Sequence, residues 1–392
     1  MSIQAVIAQA QEYLRAQNIS GWLLYDYRNM NPIFWDTVGN IANVTRPCWL
    51  WIAADAPPRL LVSYVDQGRF THLGIDTTLF VSRQDMTARL GDMLASADRI
   101  AMEYSPQGAL PRVSRIDAGT LELVRSFGVE VVSSADLLQH ATQRWNGEQL
   151  QSHLAAADAL GDIVLQAFRR IGDTIDESPT EFDIAEFIRQ RFIEEGMVVT
   201  DGPVVAANAH AADPHFEPTE ENSSVIRRGD WILIDLWTRQ PHEDAMFADI
   251  TWTAYVGDSP TSRHRQVFDA VIGGRDAAVE MLEQAHRKGK TLEGWQLDAA
   301  AREYITQAGF GDYFNHRLGH SLGREVHSNA VNLDGWETHD TRQLIPGIAV
   351  TIEPGIYLPG EFGVRSEIDL FMGDSGPRIT TQVQRDVVLI DC

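Results

Sequence analysis

The chain has 392 residues, of which 55 are acidic and 32 are lysine or arginine, so its formal net charge is −23 with the histidines neutral. A surface this acidic repels phosphate backbones and anionic lipid headgroups, so we expect no nucleic acid and no membrane as partner. Cys48 and Cys392 are too few for a disulfide framework, no apolar run is long enough for a membrane span, and the N-terminus lacks the pattern of a signal peptide. We therefore expect a cytoplasmic protein.

Helical and strand-like patterns alternate over the first 145 residues. Apolar residues from Ile3 to Leu14 recur at helical spacing and predict an amphipathic helix. Short apolar runs then predict strands at residues 22–25, 49–53, 60–65, 79–82, 100–103 and 129–132. This alternation is typical of a small α/β domain.

A long helical pattern marks the change to a second part of the chain. Apolar and alanine residues keep helical spacing from about Leu137 to Ile171, interrupted by the turn signal Asn146-Gly147. We place the domain boundary at this turn, with one domain over residues 1–145 and another over residues 146–392. In the second domain, residues 231–235 and 349–353 are predicted to form buried strands that end on a carboxylate.

Acidic or imidazole side chains stand among apolar residues at four places in the second domain. These are the strand end at Asp235, the strand interrupted by Asp249, the segment with His316 and His320, and the paired strands 352–357 and 363–369 that carry Glu353 and Glu367. Taken alone, a buried aspartate at a strand end is best explained by hydrogen bonds to a neighbouring turn, and His320 by a structural role.

The spacing of the two histidines invites comparison with the HExxH zinc helix. Arg317 replaces the glutamate of that motif and Gly319 disfavours a helix, so this interpretation fails. Considered together, however, four carboxylates and one imidazole form a hard oxygen and nitrogen ligand set. Such a set suits Mn²⁺, Co²⁺ or Zn²⁺, and four carboxylates can bridge two ions.

These motifs resemble those of the aminopeptidase P and prolidase metallopeptidases, whose catalytic domain has the pita-bread fold. The family combines an aspartate at a strand end, a D-x-T segment, a G-H-x-x-G histidine, an E-P-G glutamate and a glutamate in an R-x-E segment. The corresponding residues here are Asp235, Asp249-Ile250-Thr251, Gly319-His320-Ser321-Leu322-Gly323, Glu353-Pro354-Gly355 and Arg365-Ser366-Glu367. The resemblance implies an α/β (α+β) protein, with a small N-terminal creatinase/prolidase-like α/β domain followed by a pita-bread catalytic domain.

The resemblance also implies two divalent metal ions per subunit, with Mn²⁺ expected first and Co²⁺ or Zn²⁺ as alternatives. One ion would be held by Asp249, His320, Glu353 and Glu367, and the other by Asp235, Asp249 and Glu367. A hydroxide between the ions would attack the carbonyl of the Xaa-Pro bond, with Glu353 as the general base.

Residues around the implied metals are expected to bind the substrate. By resemblance, His327 would hydrogen-bond the carbonyl oxygen as it becomes an oxyanion, and His215 would face the proline pocket, unless it only caps a loop. His316 carries over as a further substrate-binding residue. Arg365 would either orient Glu367, with which it shares a strand face by period two, or hold a substrate carboxylate. Tyr357 would contact the substrate or simply pack.

The chain departs from the family pattern after His327. Ser328 stands where the family commonly has glutamate, and Asn329-Ala330-Val331-Asn332 where many dipeptide-specific members have an arginine. The metal ligands are unaffected, but a substrate carboxylate would have to be held by Arg365 or Arg342.

The leading hypothesis is a dinuclear hydrolase that cleaves the Xaa-Pro bond of a proline-containing dipeptide or short peptide. We favour an Xaa-Pro dipeptidase (prolidase) over an Xaa-Pro aminopeptidase (aminopeptidase P) acting on longer peptides, because the N-terminal part is short. A creatinase-like C–N hydrolase or a non-enzymatic binding protein of the same fold is disfavoured, since such relatives lose the metal carboxylates. The resemblance also suggests a homodimer.

Overall fold

The computed structural model of the chain describes residues 2–39 and 43–392. The chain forms two compact units, Met1–Arg144 and Trp145–Cys392. The junction lies beside the Asn146-Gly147 turn, where the Asn146 side chain accepts a hydrogen bond from the backbone of Gln149 and caps the first helix of the second unit. Among the described residues, no helix combines the length and the hydrophobicity that a membrane crossing requires.

The first unit is a mixed sheet with helices on its faces. Its elements are α1 (Ile3–Ala16), β1 (Gly21–Tyr27), α2 (Pro32–Val38), β2 (Pro47–Ala53), β3 (Arg59–Ser63), β4 (Asp76–Phe80), α3 (Arg83–Leu94), β5 (Arg99–Met102), α4 (Ala118–Arg125), β6 (Glu130–Ser133) and α5 (Ala135–Thr142). The strand order is β4-β3-β2-β1-β5-β6. Helix α1 buries Val6, Ala10 and Leu14 at the predicted spacing. The strand predicted to reach residue 65 ends at Ser63, because Tyr64 and Val65 turn into solvent.

The second unit contains several smaller sheets and longer helices. Its elements are α6 (Gly147–Thr174), α7 (Glu181–Glu194), β7 (Val204–Ala207), β8 (Trp231–Thr238), β9 (Ala248–Val256), α8 (Ser262–Arg287), α9 (Gly294–Gln307), β10 (Ser321–Leu322), β11 (Ala349–Ile352), β12 (Gly355–Leu358), β13 (Phe362–Arg365), β14 (Ile368–Gly373), β15 (Gly376–Ile379) and β16 (Val388–Ile390). The sheets have the orders β16-β9-β8-β7, β10-β11-β14-β15 and β12-β13. The predicted long helical stretch is divided between α5 and α6.

Helices cover one face of each larger sheet and leave the other face for the site. Ile232, Ile234 and Leu236 of β8 share a core with residues of α6 and α7. Because side chains alternate along a strand, Asp235 lies on the opposite face. Helices α8 and α9 form a separate core with residues of β11, β12, β13 and β14.

Two strands differ from the sequence-based prediction near the acidic residues. Asp235 does not end its strand, because β8 pairs with β7 and β9 on its two sides and continues to Thr238. Glu367 lies between strands, since β13 ends at Arg365 and β14 begins at Ile368. The expectation that Arg365 and Glu367 share one strand face is therefore wrong.

Backbone contacts join the two sheets next to these residues. The amide of Glu367 donates to the carbonyl oxygen of Thr251 at 3.1 Å. The amide of Asp249 donates to Asp369 Oδ2 at 2.9 Å. Strands β9 and β14 are thus held together where their carboxylates meet.

Candidate metal centre

The fold brings the acidic residues and His320 together. Asp249, His320 and Glu367 each offer a ligand atom, and these atoms lie within 4.8 Å of one another. The Nε2 atom of His320 lies 3.4 Å from Glu353 Oε1 and 3.7 Å from Asp249 Oδ2. Asp235 lines the same cavity as these four residues. The residues of five separate sequence motifs therefore form one cluster.

Close backbone packing positions His320. A Cβ atom on Gly319 would lie 2.1 Å from the carbonyl oxygen of Thr351, so only glycine lets this segment approach β11. Thr351 then fixes the next residue, because its amide donates to the His320 carbonyl at 2.8 Å and its Oγ1 accepts from the His320 amide at 3.0 Å. These contacts explain why the histidine of the motif follows a glycine.

Thr251, the threonine of the D-x-T motif, connects the cluster to the guanidinium of Arg365. Thr251 Oγ1 donates to Glu367 Oε2 at 2.7 Å and accepts from Arg365 Nε at 3.0 Å. Arg365 also donates from Nη2 to Asp235 Oδ2 at 2.5 Å. One carboxylate oxygen of Asp235 and one of Glu367 are thereby oriented, directly or through Thr251, by a single guanidinium.

The remaining oxygens of the cluster suit a cation. Asp235 Oδ1, Asp249 Oδ1 and Glu367 Oε1 are buried and accept a hydrogen bond from no residue that the structure describes. Buried carboxylate oxygens without donors are strongly disfavoured unless a cation compensates them. Accordingly, burial and the neighbouring carboxylates raise the pKa of Asp249 and of Glu367 well above the ordinary values.

The imidazole of the cluster also fits a metal ligand. His320 Nδ1 faces the carbonyl oxygen of Ser321 at 3.3 Å. Because a carbonyl only accepts, the ring proton belongs on Nδ1, which directs the lone pair of Nε2 toward Asp249 and Glu353. A nitrogen lone pair that faces carboxylates is a ligand set for a borderline or hard divalent ion.

Glu353 differs from the other carboxylates in its titration. Burial raises the pKa of Glu353 to about 7, and the positive charges of Arg365 and Arg317 oppose this shift. Its Oε1 accepts from Thr351 Oγ1 at 3.2 Å. A carboxyl group whose pKa lies near neutrality can both accept and release a proton at physiological pH.

Tyr357 and His316 extend the network away from the carboxylates. The Tyr357 hydroxyl accepts from Arg365 Nη1 at 3.0 Å and lies 2.9 Å from His316 Nε2, while His316 Nδ1 lies 2.7 Å from the carbonyl oxygen of Arg317. The carbonyl fixes the ring proton on Nδ1, so Tyr357 donates to Nε2. Burial and the charge of Arg365 lower the pKa of His316 to about 3, so this ring is neutral. Tyr357 is therefore more than a packing residue.

His215 and His327 lie on the wall of a cavity of about 690 Å³ that contains the cluster. Both side chains are exposed. The His327 ring packs edge-on against His320 with the centroids 4.3 Å apart. His215 lies beside Pro214 and Phe216, which also line the cavity. The five proposed metal ligands and the five other residues assigned to the site from the sequence, except Arg342, therefore lie on one cavity.

The sequence reasoning missed some of the cavity wall. Arg317, Arg189 and Glu337 line it, and Arg317 was noted only as a departure from a zinc motif. Its position in the sequence between His316 and His320 could have indicated that Arg317 also lines the site. Arg342, named as a possible carboxylate ligand, lies elsewhere. It is buried, is paired with Asp340 at 2.6 Å and donates to the Asn329 carbonyl at 2.7 Å.

The chain is related in sequence to known peptidases. The profile of metallopeptidase family M24 matches residues 155–374. The chain is 27% identical over 342 residues to a probable dipeptidase PepE of Mycobacterium tuberculosis, covering 86% of this chain and 84% of the relative. It is 35% identical over 188 residues to an Xaa-Pro dipeptidase of Pyrococcus furiosus, covering 47% of this chain and 48% of the relative.

Solved structures show the same fold. Dipeptidase PepE from Mycobacterium ulcerans superimposes with a TM-score of 0.74 at 22% identity and covers 100% of this chain and 98% of its own. An Xaa-Pro dipeptidase from Bacillus anthracis gives a TM-score of 0.64 at 20% identity, covering 99% of this chain and 100% of its own. The resemblance inferred from the motifs and the expected pita-bread fold are confirmed. Since the family profile spans more than half of the sequence, the chain belongs to metallopeptidase family M24.

Proposed function

We propose that this metallopeptidase is an Xaa-Pro dipeptidase that uses two divalent ions. The observation that carries the proposal is the cluster of four carboxylates and one imidazole that lines a cavity of about 690 Å³, in which three carboxylate oxygens lack donors among the described residues. A cavity of this size suits a small substrate. The Xaa-Pro dipeptidase of Pyrococcus furiosus supports proline as the residue after the cleaved bond.

Asp235, Asp249, His320, Glu353 and Glu367 would hold the ions, and Mn²⁺ is the ion we propose for this carboxylate-rich set. Ions bound there would polarise the scissile carbonyl and lower the pKa of an attacking water molecule. The protein residues supply the remaining steps of the reaction.

Proton transfer is assigned to Glu353. Its Oε1 lies 3.4 Å from His320 Nε2, at the proposed metal ligands, so it is placed to take a proton from the attacking water and deliver it to the proline nitrogen as that nitrogen leaves. His327, beside His320 on the cavity wall, is proposed to hydrogen-bond the carbonyl oxygen as negative charge develops. His215, next to Phe216, is proposed to face the proline ring.

Arg365 is better suited to the metal ligands than to the substrate. Its Nε, Nη1 and Nη2 atoms donate to Thr251, Tyr357 and Asp235 respectively. We therefore propose that Arg365 orients the carboxylates, which was one of its two expected roles. His316, whose two ring nitrogens contact protein groups, is proposed to support this network through Tyr357.

The test compares peptides that differ in one feature each. After loading with Mn²⁺, kcat/KM is measured for Ala-Pro, Ala-Ala and Ala-Pro-Ala. We expect Ala-Pro to exceed both others by about tenfold or more, a difference of about 1.4 kcal/mol in transition-state binding. A preference for Ala-Pro-Ala would instead identify an Xaa-Pro aminopeptidase. Calorimetric titration of the metal-free protein should give two Mn²⁺ sites per chain, and one site would contradict the dinuclear proposal.

A further inference from the structure

The cavity contains one arginine that protein groups leave largely uncompensated. Within the described residues, the arginines on its wall are Arg189, Arg317 and Arg365. Every guanidinium nitrogen of Arg365 donates to a protein acceptor. Arg189 donates from Nε to the Gly202 carbonyl at 3.1 Å and pairs through Nη1 with Glu186.

Arg317 has much weaker partners. Its guanidinium meets one acidic group in the described part of the chain, Glu337, with Nη1 and Oε2 3.5 Å apart. The Nε atom is buried and donates to none of the described groups. About a quarter of the side chain, 26%, is exposed. A guanidinium normally uses its donors in a planar fork, so the terminal nitrogens of Arg317 are available to a planar anion in the cavity.

The backbone holds Arg317 in place. Its amide donates to Glu337 Oε1 at 3.0 Å, and its carbonyl oxygen accepts from His316 Nδ1 at 2.7 Å. The next amide, that of Leu318, donates to Asp298 Oδ1 at 2.9 Å. Because the backbone is fixed on both sides, anion binding has to order only the side chain and not the segment that carries it.

The charge of Arg317 acts close to the reacting groups. The Arg317 side chain lines the same cavity as Glu353 and His316. The carboxylate of a dipeptide is separated from the cleaved bond by a single residue, so it must enter the same cavity as Glu353. A carboxylate taken from water into such a site requires a cation.

We infer that Arg317 binds the C-terminal carboxylate of the dipeptide and thereby selects dipeptides over longer peptides. This inference rests on the proposed Xaa-Pro dipeptidase function. A guanidinium–carboxylate pair with two parallel hydrogen bonds gives both affinity and orientation. When no substrate is bound, Glu337 contacts the guanidinium at the long distance of 3.5 Å. The substrate carboxylate would therefore replace a weak contact.

The test separates the charge of the substrate from the rest of its structure. Arg317→Gln and the control Arg189→Gln are compared on Ala-Pro and on Ala-Pro amide, which lacks the carboxylate. We expect Arg317→Gln to raise the KM for Ala-Pro by about tenfold to a hundredfold relative to the KM for the amide, as for the loss of a charge-assisted hydrogen bond. Arg189→Gln should leave that ratio as in the wild type. An unchanged ratio in Arg317→Gln would overturn the inference.

A binding measurement gives a second readout that does not depend on turnover. By calorimetry, Arg317→Gln should weaken L-proline binding by about tenfold or more and leave prolinamide binding as it is. Glu337→Gln, which keeps an oxygen for the Arg317 amide but removes the competing charge, should tighten L-proline binding. Weaker binding in Glu337→Gln would count against the inference. If the wild type cleaves no Xaa-Pro substrate, the proposed function fails, and the calorimetric comparison still decides whether Arg317 binds the carboxylate.

Discussion

At the scale of single residues, Asp249 is a buried carboxylate of the cluster whose pKa is raised by its surroundings. Burial is the largest cause of its raised pKa, and the charges of Asp235, Asp369 and Glu353 add to it. Its Oδ1 has no donor among the described residues, although its backbone amide is bound by Asp369. The side chain thus contributes repulsion in the absence of a cation and attraction in its presence.

Asp249→Asn should consequently stabilise the metal-free protein and remove the stabilisation by metal. We expect the metal-free variant to melt at a higher temperature than the metal-free wild type, because the amide removes the cost of burying an ionisable carboxyl group among other carboxylates. The variant should also lose the stabilisation by Mn²⁺, about 2.7 kcal/mol for the wild type when the ion is at 100 times its Kd. Thermal unfolding with and without Mn²⁺ measures both effects. Asp258→Asn, at an exposed position after β9, is the control, and equal Mn²⁺ stabilisation in both variants would contradict the assignment.

Glu103 is a second buried carboxyl group, in the first unit. It accepts hydrogen bonds from Trp22 Nε1 at 2.6 Å, Asn31 Nδ2 at 3.1 Å and Ser134 Oγ at 3.4 Å. These bonds favour the ionised form, but burial outweighs them and raises the pKa from 4.5 to about 7. The folded state therefore binds this proton more tightly than the unfolded state does.

The raised pKa of Glu103 makes the stability of the folded protein depend on pH. The stabilising contribution of the Glu103 proton is complete below about pH 4.5 and is lost as the pH rises through about 7, a change of about 3 kcal/mol. We expect Glu103→Gln, which cannot ionise, to remove this part of the decrease in stability between pH 5 and pH 8. Unfolding by denaturant, followed at several pH values, measures it. An identical pH profile in the wild type and the variant would show that Glu103 does not titrate in this range.

At the scale of elements, the motifs could be predicted from the sequence but their exact strand positions could not. The Trp-Ile-Leu-Ile-Asp-Leu-Trp-Thr sequence of β8 is apolar on both faces, so no alternation marks where the strand ends or which face Asp235 occupies. The break between Arg365 and Ile368 is equally invisible, because the connection Ser366-Glu367 is set by pairing with distant strands. Sheet order and register depend on such long-range contacts rather than on local propensity.

The contact between Gly319 and β11 gives a prediction at this scale. In Gly319→Ala the new Cβ atom would meet the Thr351 carbonyl at 2.1 Å, a backbone atom that cannot move without displacing β11. We expect a loss of stability of about 1–3 kcal/mol, typical of overpacking, together with weaker Mn²⁺ binding because His320 is displaced. Thermal unfolding and metal titration measure the two effects.

Gly147→Ala provides the matched control for that substitution. Gly147 is the first residue of α6, and a Cβ atom there meets nothing within 4 Å. Alanine is also the better helix former, so this variant should be as stable as the wild type or slightly more stable. If both variants behaved alike, the close approach at Gly319 would not be a constraint on the metal ligands.

At the scale of the whole molecule, the net charge of −23 does not indicate where the candidate metal site lies. The net charge predicted that nucleic acids and membranes are not partners, whereas the proposed function depends on a few carboxylates of the second unit. The first unit has its own apolar cores, formed by residues between Val6 and Ala141 and lacking the proposed ligands. The two larger cores of the second unit lie on the helix-covered faces of its sheets.

Because only the second unit carries the proposed ligands, metal removal should loosen strands in that unit and not in the first. Chelation leaves the carboxylates of Asp235, Asp249 and Glu367 without a cation, so strands β8, β9 and β11 and the start of β14 should open more often. We expect faster hydrogen exchange at their amides, including that of Glu367, which bonds to the Thr251 carbonyl. Strands β1 and β2 of the first unit, which carry no proposed ligand, serve as an internal control. Mass-spectrometric exchange before and after chelation measures this, and a uniform change across both units would contradict a metal site confined to the second.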